Sequence, residues 1–380
     1  MRYCKKCLQP DTRPGIVFNE AGVCYACIYE KEKGSIDWDK REAELRNIVE
    51  KARLEAKQRG TYDCVVGVSG GKDSTFQAIY AKEKLGLNVL LVNCVPENIT
   101  EVGKYNIENL VAKGFDMIQM RPNPKVMKEL TKKSFFENGN PVKPSEYPLW
   151  ASAFIIAEKF NIPLVIQGEN AALTLGVKGN LDVSGDASNV INSNTLGGCN
   201  ATDWVDDKLG VEELFMYQFP SKEKLIHKEI KSIYLQYYAK EWSQVGNADY
   251  AVARGMKGRY TEDLYDLGRY RRYTGLDTDI VPLNQMLKYY KFGFGFATDE
   301  ACYDIREGRL TREDAIWLVN EYDGKCGEKY IEDFCKYIDI PLEEFWNVVD
   351  NLVNKKLFEK DRNTGKWTKR FKIGEDFIEK

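Results

Sequence analysis

The stretch Val65 to Gln77, VVGVSGGKDSTFQ, constrains the fold of this chain more than any other. An apolar, largely β-branched run from Val65 to Val68 breaks into Ser69, Gly70 and Gly71. A helical pattern then opens at Asp73 and Ser74, giving strand, glycine turn and helix. Such a turn is a ready anion site. Its glycines let the backbone approach closely, its amides and the helix N-terminus point donors outward, and Ser69, Lys72 and Ser74 add more. A nucleotide phosphate is the natural guest. The spelling departs from a Walker A loop, because Val66 stands where the first glycine belongs and Asp73 follows Lys72. Cleavage at a γ-phosphate is therefore disfavoured.

Around this stretch the chain alternates strand and helix in the manner of a parallel sheet. Strands are expected at Cys64 to Val68, Val89 to Val95, Met117 to Met120 and Leu164 to Gln167. Helices are expected at Ser74 to Leu85, Thr100 to Lys113, Pro124 to Phe136 and Glu146 to Phe160. Ligands of such sheets bind at the carboxyl ends of the strands. Three segments should meet there: SGGKDS, the turn after Asn93 and Cys94, and VIQGEN with Gly168, Glu169 and Asn170. Glycine at 168 permits close approach, and Glu169 is placed to ligate Mg²⁺ or orient a reacting group.

The first 35 residues carry CKKC, sixteen intervening residues, and CYAC. Cys4, Cys7, Cys24 and Cys27 read as four thiolates closing a tetrahedral zinc site, a structural rather than catalytic arrangement. Free thiols, a redox pair and an iron-sulfur cluster stay open on spacing alone. A charged amphipathic helix from Asp37 to Arg59 follows, with Trp38, Leu45, Ile48, Val49 and Leu54 on or near one side. It divides the ribbon (residues 1–35, then the connector 36–60) from an α/β domain (61–210) and a mostly helical region (211–380).

At 380 residues and a net charge of −3, the chain offers no general field for nucleic acid. It also lacks an apolar run long enough to span a bilayer, and the expected compartment is the cytoplasm. After Asn170 the pattern dissolves into a Gly, Asn and Ser-rich stretch, Ala171 to Asp203, read as a substrate lid. Cys199 within it reads as incidental. Residues Glu212 to Trp242 read as helical and carry the lone histidine, His227. Arg254, Lys257 and Arg259, with Arg269, Arg271 and Arg272, suit an anionic group or a solvated surface. Residues Leu342 to Lys380 read as a helix and a polar tail.

The SGGKDS string resembles the PP-loop of the ATP pyrophosphatases, which have the adenine-nucleotide alpha-hydrolase-like fold. That resemblance implies ATP cleavage between the α and β phosphates and adenylation of a carbonyl-type oxygen. MRYCKKCLQPDTRPGI with CYAC, VIQGEN, and KFGFGFATDEACYDIREGRLTREDA narrow it. With them the chain resembles the N-acetyl sugar amidotransferases of pseudaminic and legionaminic acid and lipopolysaccharide synthesis. The resemblance implies conversion of an acetamido group on a nucleotide-activated sugar to an acetamidino group, with ATP and Mg²⁺. Ser69, Gly70, Gly71, Lys72, Asp73 and Ser74 would hold pyrophosphate, and Asn93, Cys94 and Gly168 would lie against the nucleoside. Lys72, Asp73 and Glu169 would be catalytic, and Asn170, Arg254, Lys257 and Arg259 would face the sugar. One histidine outside any glutaminase motif implies ammonia from a separate glutaminase, with a channel subunit like that of histidine biosynthesis. A homodimer is a further expectation, by analogy. Two other readings stand beside this one: a tRNA sulfur transferase, with Cys94 and Cys199 as its thiols, and a non-catalytic zinc-ribbon protein binding nucleotide or RNA.

Overall fold

The computed structural model describes residues 1–178, 183–192 and 196–378. Two cysteine turns lead into α1 (Tyr25–Glu32), which starts directly after Cys24. Helix α2 (Trp38–Arg59) is capped by the Asp37 carboxylate on the Lys40 N–H and stopped by Gly60 at φ 66°. Its buried face is Leu45, Val49, Ala52 and Ala56, whereas Leu54, expected on the packing side, is exposed. This face joins the core beneath the sheet.

The alternation then runs β1 (Cys64–Gly67), α3 (Lys72–Glu83), β2 (Val89–Cys94), α4 (Glu101–Ala112), β3 (Asp116–Met120), α5 (Pro124–Asn138), α6 (Lys143–Phe160) and β4 (Leu164–Gln167). Helix α6 begins three residues before the expected Glu146 and accommodates Pro148 in its interior. Strands β1, β2 and β4 are near-continuous buried apolar runs because helices cover them on both faces, whereas β3 (DMIQM) is largely exposed or half-buried.

Among the described residues five strands make one parallel sheet in the order β3-β2-β1-β4-β5. Val66 of β1 pairs with Leu91 of β2 on one side and Ile166 of β4 on the other. The order reverses at β1, so a crevice opens at the carboxyl ends of β1 and β4. The glycine turn and Gly168 are thereby neighbours.

The fifth strand corrects the helical reading of Glu212 to Trp242. That span holds a 3₁₀ segment (Glu212–Tyr217), the short α8 (Lys222–His227), β5 (Lys231–Tyr234) and α9 (Leu235–Tyr238). Ile233 and Tyr234 are buried against the sheet. Burying an Ile-sized side chain contributes roughly 1.5–3 kcal/mol, more than the few tenths by which propensity separates the two states. His227 is exposed on the last turn of α8.

The stretch read as a lid is packed instead. Asn170 caps α7 (Ala171–Thr174), Ala187 and Val190 join the core, and Asn200 caps a 3₁₀ turn whose Trp204 meets the Tyr147 ring edge-on at 5.0 Å. Residues 179–182 and 193–195 of that stretch lie outside the described residues.

Helix α10 (Gly246–Val252) leads to a helical region, α11 (Ile280–Phe292), α12 (Phe296–Arg306), α13 (Arg312–Tyr322), α14 (Glu328–Tyr337) and α15 (Leu342–Leu352). The expected polar tail is in part a hairpin, β6 (Phe358–Lys360) with β7 (Trp367–Lys369), and Phe358, Phe371 and Ile373 are buried. The same apolar cluster takes in Cys4, Cys7, Leu8, Cys24 and Cys27. A ribbon too small to own a core borrows one from the C-terminal helices. No helix among the described residues is long and apolar enough to cross a membrane.

Candidate active site

The chain leaves β1 at Gly67 and turns through Ser69, Gly70 and Gly71 into α3. Gly70 sits at φ 80°, and a Cβ there would stand 3.0 Å from the Gly103 carbonyl oxygen. Only glycine fits, because the turn rests directly on α4. Gly71 is the N-cap residue of α3 and supplies no side-chain cap. The first-turn amides are thus available to an anion. Ser74 Oγ accepts from the Ser69 N–H at 3.3 Å and donates to the Gly71 carbonyl at 3.2 Å, closing the turn on itself.

This turn forms one side of a cavity of about 410 Å³, within the size range of small-molecule sites. Ser69, Gly71, Lys72, Asp73, Ser74, Gly168 and Glu169 all line it. A chain of polar side chains connects them. Glu169 Oε2 accepts from Gln244 Nε2 at 2.9 Å, and Gln244 Oε1 accepts from Lys72 Nζ at 3.3 Å. Lys72 is paired with Asp73, whose other oxygen accepts from Asn247 Nδ2 at 2.8 Å. Burial, reinforced by the Asp73 charge, pushes the Glu169 carboxyl up to about 7. A Cβ at Gly168 would stand 2.1 Å from Gln77 Nε2 and 3.0 Å from the Trp242 ring, so a larger residue there would have to displace the Gln77 side chain.

The facing wall comes from the C-terminal region: Tyr273 to Asp277, Gln285 of α11, and Phe296, Asp299 and Tyr303 of α12. Asp299 accepts from Gln9 Nε2 at 2.8 Å and Lys288 Nζ at 2.9 Å, and pairs with Arg13. Burial alone would raise its carboxyl, but the Arg13 and Lys288 charges outweigh that and hold it below the usual range. One residue on, Glu300 faces the other way. It accepts from the Thr274 hydroxyl at 2.6 Å and the Tyr270 N–H at 3.3 Å, fixing the loop that lines the cavity. Burial pushes Glu300 up to about 7.

The remaining expected residues lie elsewhere. Gly70 packs behind the turn, where Asn106 Nδ2 donates to its carbonyl at 3.0 Å. Asn93 is buried with Nδ2 on the Val68 carbonyl at 2.8 Å, and Cys94 is buried at the end of β2. Asn170 donates its N–H to Gln236 at 2.9 Å and uses its side chain as a cap. The three basic residues are outside the cavity. Arg254 stacks on Tyr250 and reaches Glu83 at 3.3 Å. Lys257 lies over the Tyr105 ring at 3.8 Å, and Arg259 is buried on Asp279 at 2.7 Å. Guanidiniums satisfied inside the fold carry the same spelling as guanidiniums aimed at a ligand.

Sequence reasoning passed over Gln77, Gln244, Asn247, Asp277 and Gln285. Asp299 and Tyr303 lie in the distinctive segment KFGFGFATDEACYDIREGRLTREDA, and their i,i+4 spacing on a helix places them on one face.

The four ribbon cysteines are all buried, with their sulfurs within 4.8 Å of one another. The Cys4 to Cys27 sulfurs stand 3.9 Å apart and the Cys7 to Cys24 sulfurs 3.7 Å. Four thiolates at about 2.3 Å from a tetrahedral zinc would be about 3.8 Å apart, and a disulfide about 2 Å. The spacing fits the metal and excludes bonded pairs. Backbone N–H groups of Lys6, Gln9 and Cys24 point at Cys4, Cys7 and Cys4 sulfurs at 3.4, 3.5 and 3.2 Å. Such donors stabilise thiolate charge.

No curated protein matches the chain. Residues 267–372, the segment that builds the facing wall of the cavity, match the family described as LPS biosynthesis protein WbpG-like, C-terminal domain, and in this segment the chain is similar to proteins of lipopolysaccharide biosynthesis.

Proposed function

We propose that this chain is an ATP-dependent amidotransferase of lipopolysaccharide-type sugar synthesis, with a PP-loop ATP pyrophosphatase domain at its centre. It converts the acetamido group of a nucleotide-activated sugar to an acetamidino group and releases AMP and pyrophosphate. One observation carries this reading. The SGGKDS turn and Glu169 share a single cavity with a wall supplied by the segment that resembles a lipopolysaccharide-biosynthesis domain.

The residues suit each step. An amide oxygen leaves poorly, so its adenylation makes an imidate from which AMP departs when ammonia attacks. The Ser69 to Ser74 amides and hydroxyls, with Lys72, would hold the phosphates where charge grows. Asp73 and Glu169 offer hard oxygen ligands for Mg²⁺. Zinc in the ribbon would be structural. Ammonia would come from a separate glutaminase through a channel subunit, since the lone histidine, His227, is exposed on α8 and lies in no recognisable glutaminase motif. Cytoplasmic ATP and a nucleotide sugar would be the co-substrates.

A tRNA sulfur transferase is the second reading. It needs reactive thiols near the turn, and neither Cys94 nor Cys199 lines the cavity; burial pushes the Cys94 thiol up to about 12. Mass spectrometry of ATP products, with a panel of nucleotide-activated N-acetyl sugars, Mg²⁺ and ammonium, tests the proposal. AMP, pyrophosphate and a sugar about one mass unit lighter, with O replaced by NH, support it. ADP, or sulfur gained by tRNA with every sugar untouched, overturns it.

A further inference from the structure

Lys72, Asp73 and Glu169 are each held by a side-chain amide from one short segment, residues 243–247, that leads into α10. Gln244 Nε2 donates to Glu169 and Gln244 Oε1 accepts from Lys72, while Asn247 Nδ2 donates to Asp73. Both amide residues are buried. The chemistry dictates the residue type at 244. A lysine ammonium only donates and an ionised carboxylate only accepts, so a side chain that meets both must offer one acceptor and one donor. Glutamine does this with no charge of its own. A glutamate there would add another carboxylate beside Asp73 and Glu169, and a leucine would take the donor away from Glu169.

The segment is itself fastened. Ser243 Oγ accepts from the Val245 N–H at 3.2 Å and the Gly246 N–H at 2.7 Å, and the Ser243 N–H donates to Asn247 Oδ1 at 3.3 Å. Its outer tie is Glu307, the residue that closes α12. Glu307 Oε2 accepts from the Ser243 hydroxyl at 2.7 Å and Oε1 from the Gln244 N–H at 3.0 Å, with Arg309 pairing at 3.5 Å. Hydrogen bonds to an ionised acceptor are roughly twice as strong as neutral ones. Helix α12 also carries Phe296, Asp299 and Tyr303 of the cavity wall, and it lies within the segment similar to a lipopolysaccharide-biosynthesis domain. One helix thus serves the site twice, through its wall residues and through Glu307.

We propose that residues 243–247 are a positioning clamp for Lys72, Asp73 and Glu169, anchored by Glu307, a role that rests on the amidotransferase reading of that site. Glu307 is outside the lining of the large cavity and acts through Gln244. Gln244 in turn fixes which Glu169 oxygen is engaged, favours the ionised carboxylate, and keeps Lys72 beside the turn. The other titratable groups that face Glu169 are Lys72 and Asp73 of α3, Glu146 of α6, Tyr234 of β5 and Tyr303 of α12. All of them are retained in the variants below.

Gln244→Leu and Glu307→Ala in the full chain test the clamp. The readout is the infrared carboxyl band of Glu169, identified by its loss in Glu169→Gln and titrated with neither ATP nor sugar present. Loss of the Gln244 donor should move the Glu169 titration about one pH unit toward alkaline, roughly a tenfold change in proton affinity. Glu307→Ala should move it the same way by less, because Gln244 keeps its amide and loses its aim. Circular dichroism reports whether each variant folds. A Glu169 titration that stays in place, or moves toward acid, in folded Gln244→Leu overturns the clamp, and one that moves in Gln244→Leu alone overturns the anchor. If Gln244→Leu does not fold, Glu307→Ala decides, and an unmoved titration there overturns both. Wild-type protein that turns over no sugar removes the amidotransferase reading but leaves this titration intact, so the two failures are told apart.

Discussion

The Gln9 side-chain amide donates to the Asp299 carboxylate at 2.8 Å, joining positions 290 residues apart. Gln9 belongs to the first cysteine turn and Asp299 to the cavity wall, and Arg13 reinforces the link. The Leu8 N–H adds a third tie, to Cys302 at 3.3 Å, on the same helix. The ribbon is therefore a buttress of the site. Stripping the metal with a chelator under mild denaturant should weaken sugar binding at least tenfold while nucleotide binding changes little, and Arg13→Ala should do the same with metal in place. Calorimetric titration of each ligand, alongside metal content by mass spectrometry, checks this. Equal loss of both ligands would point to global unfolding instead.

Lys72 and Arg254 should part company. Lys72→Ala removes a buried cation from the SGGKDS turn, and on the proposed function kcat is expected to fall by about 10²–10³, or roughly 3–4 kcal/mol of barrier. Arg254→Ala touches a partly exposed pair with Glu83, worth under about 1 kcal/mol. Its kcat/KM should stay within about twofold of wild type. Steady-state kinetics of both variants decides whether the cavity or the basic segment holds the substrate.

Glu169 sets a pH limb. With its carboxyl pushed up to about 7, the ionised form needed for metal binding or proton uptake accumulates as pH rises through that value. The rate should climb with pH through about 7 and then level. Glu169→Gln should lower kcat strongly and abolish the limb; a variant that keeps it assigns the titration to another group.

Glu300 makes a prediction about stability. Its folded pKa of about 7 lies above the ordinary 4.5, so between those values the folded chain holds a proton the unfolded chain has lost. Stability must then fall as pH rises across that window, by on the order of 3 kcal/mol at most for this buried group. Urea melts at about pH 5 and about pH 8 measure it. In Glu300→Gln the difference should shrink; an unchanged slope would locate it in other carboxylates.

The strand, glycine turn and helix at SGGKDS and the cluster made by the paired CxxC turns were legible because each signal is contiguous in the sequence. Strands β1, β2 and β4 were legible as buried apolar runs. Strand β5 was not: KSIY is short, sits among helix formers, and becomes a strand only because β4 offers it an edge. The facing wall was legible only in part: the segment holding Phe296, Asp299 and Tyr303 stood out, but its place across from the glycine turn did not. Gln244, Asp277 and Gln285 come from separate segments, and nothing local distinguishes a polar residue aimed inward. Arg254, Lys257 and Arg259 lie outside the cavity on partners of their own, which composition, reporting charge without its partners, does not reveal.

The first and last segments of the chain are clipped together. Met1 donates its amino group to the Phe377 carbonyl at 2.7 Å and accepts from the Phe377 N–H at 2.8 Å, while the cysteine turns pack on residues near 300. On a ribosome the ribbon emerges before the helices that wall it. At about 5–20 residues per second, it waits roughly 15–60 s before Cys302 and its helix arrive. Throughout that interval four thiols are exposed to oxidants and to competing metals, so early capture of zinc is a kinetic contest decided during synthesis. Yield of correctly assembled protein should accordingly respond to zinc supply while the chain is being made, and much less to zinc added afterwards.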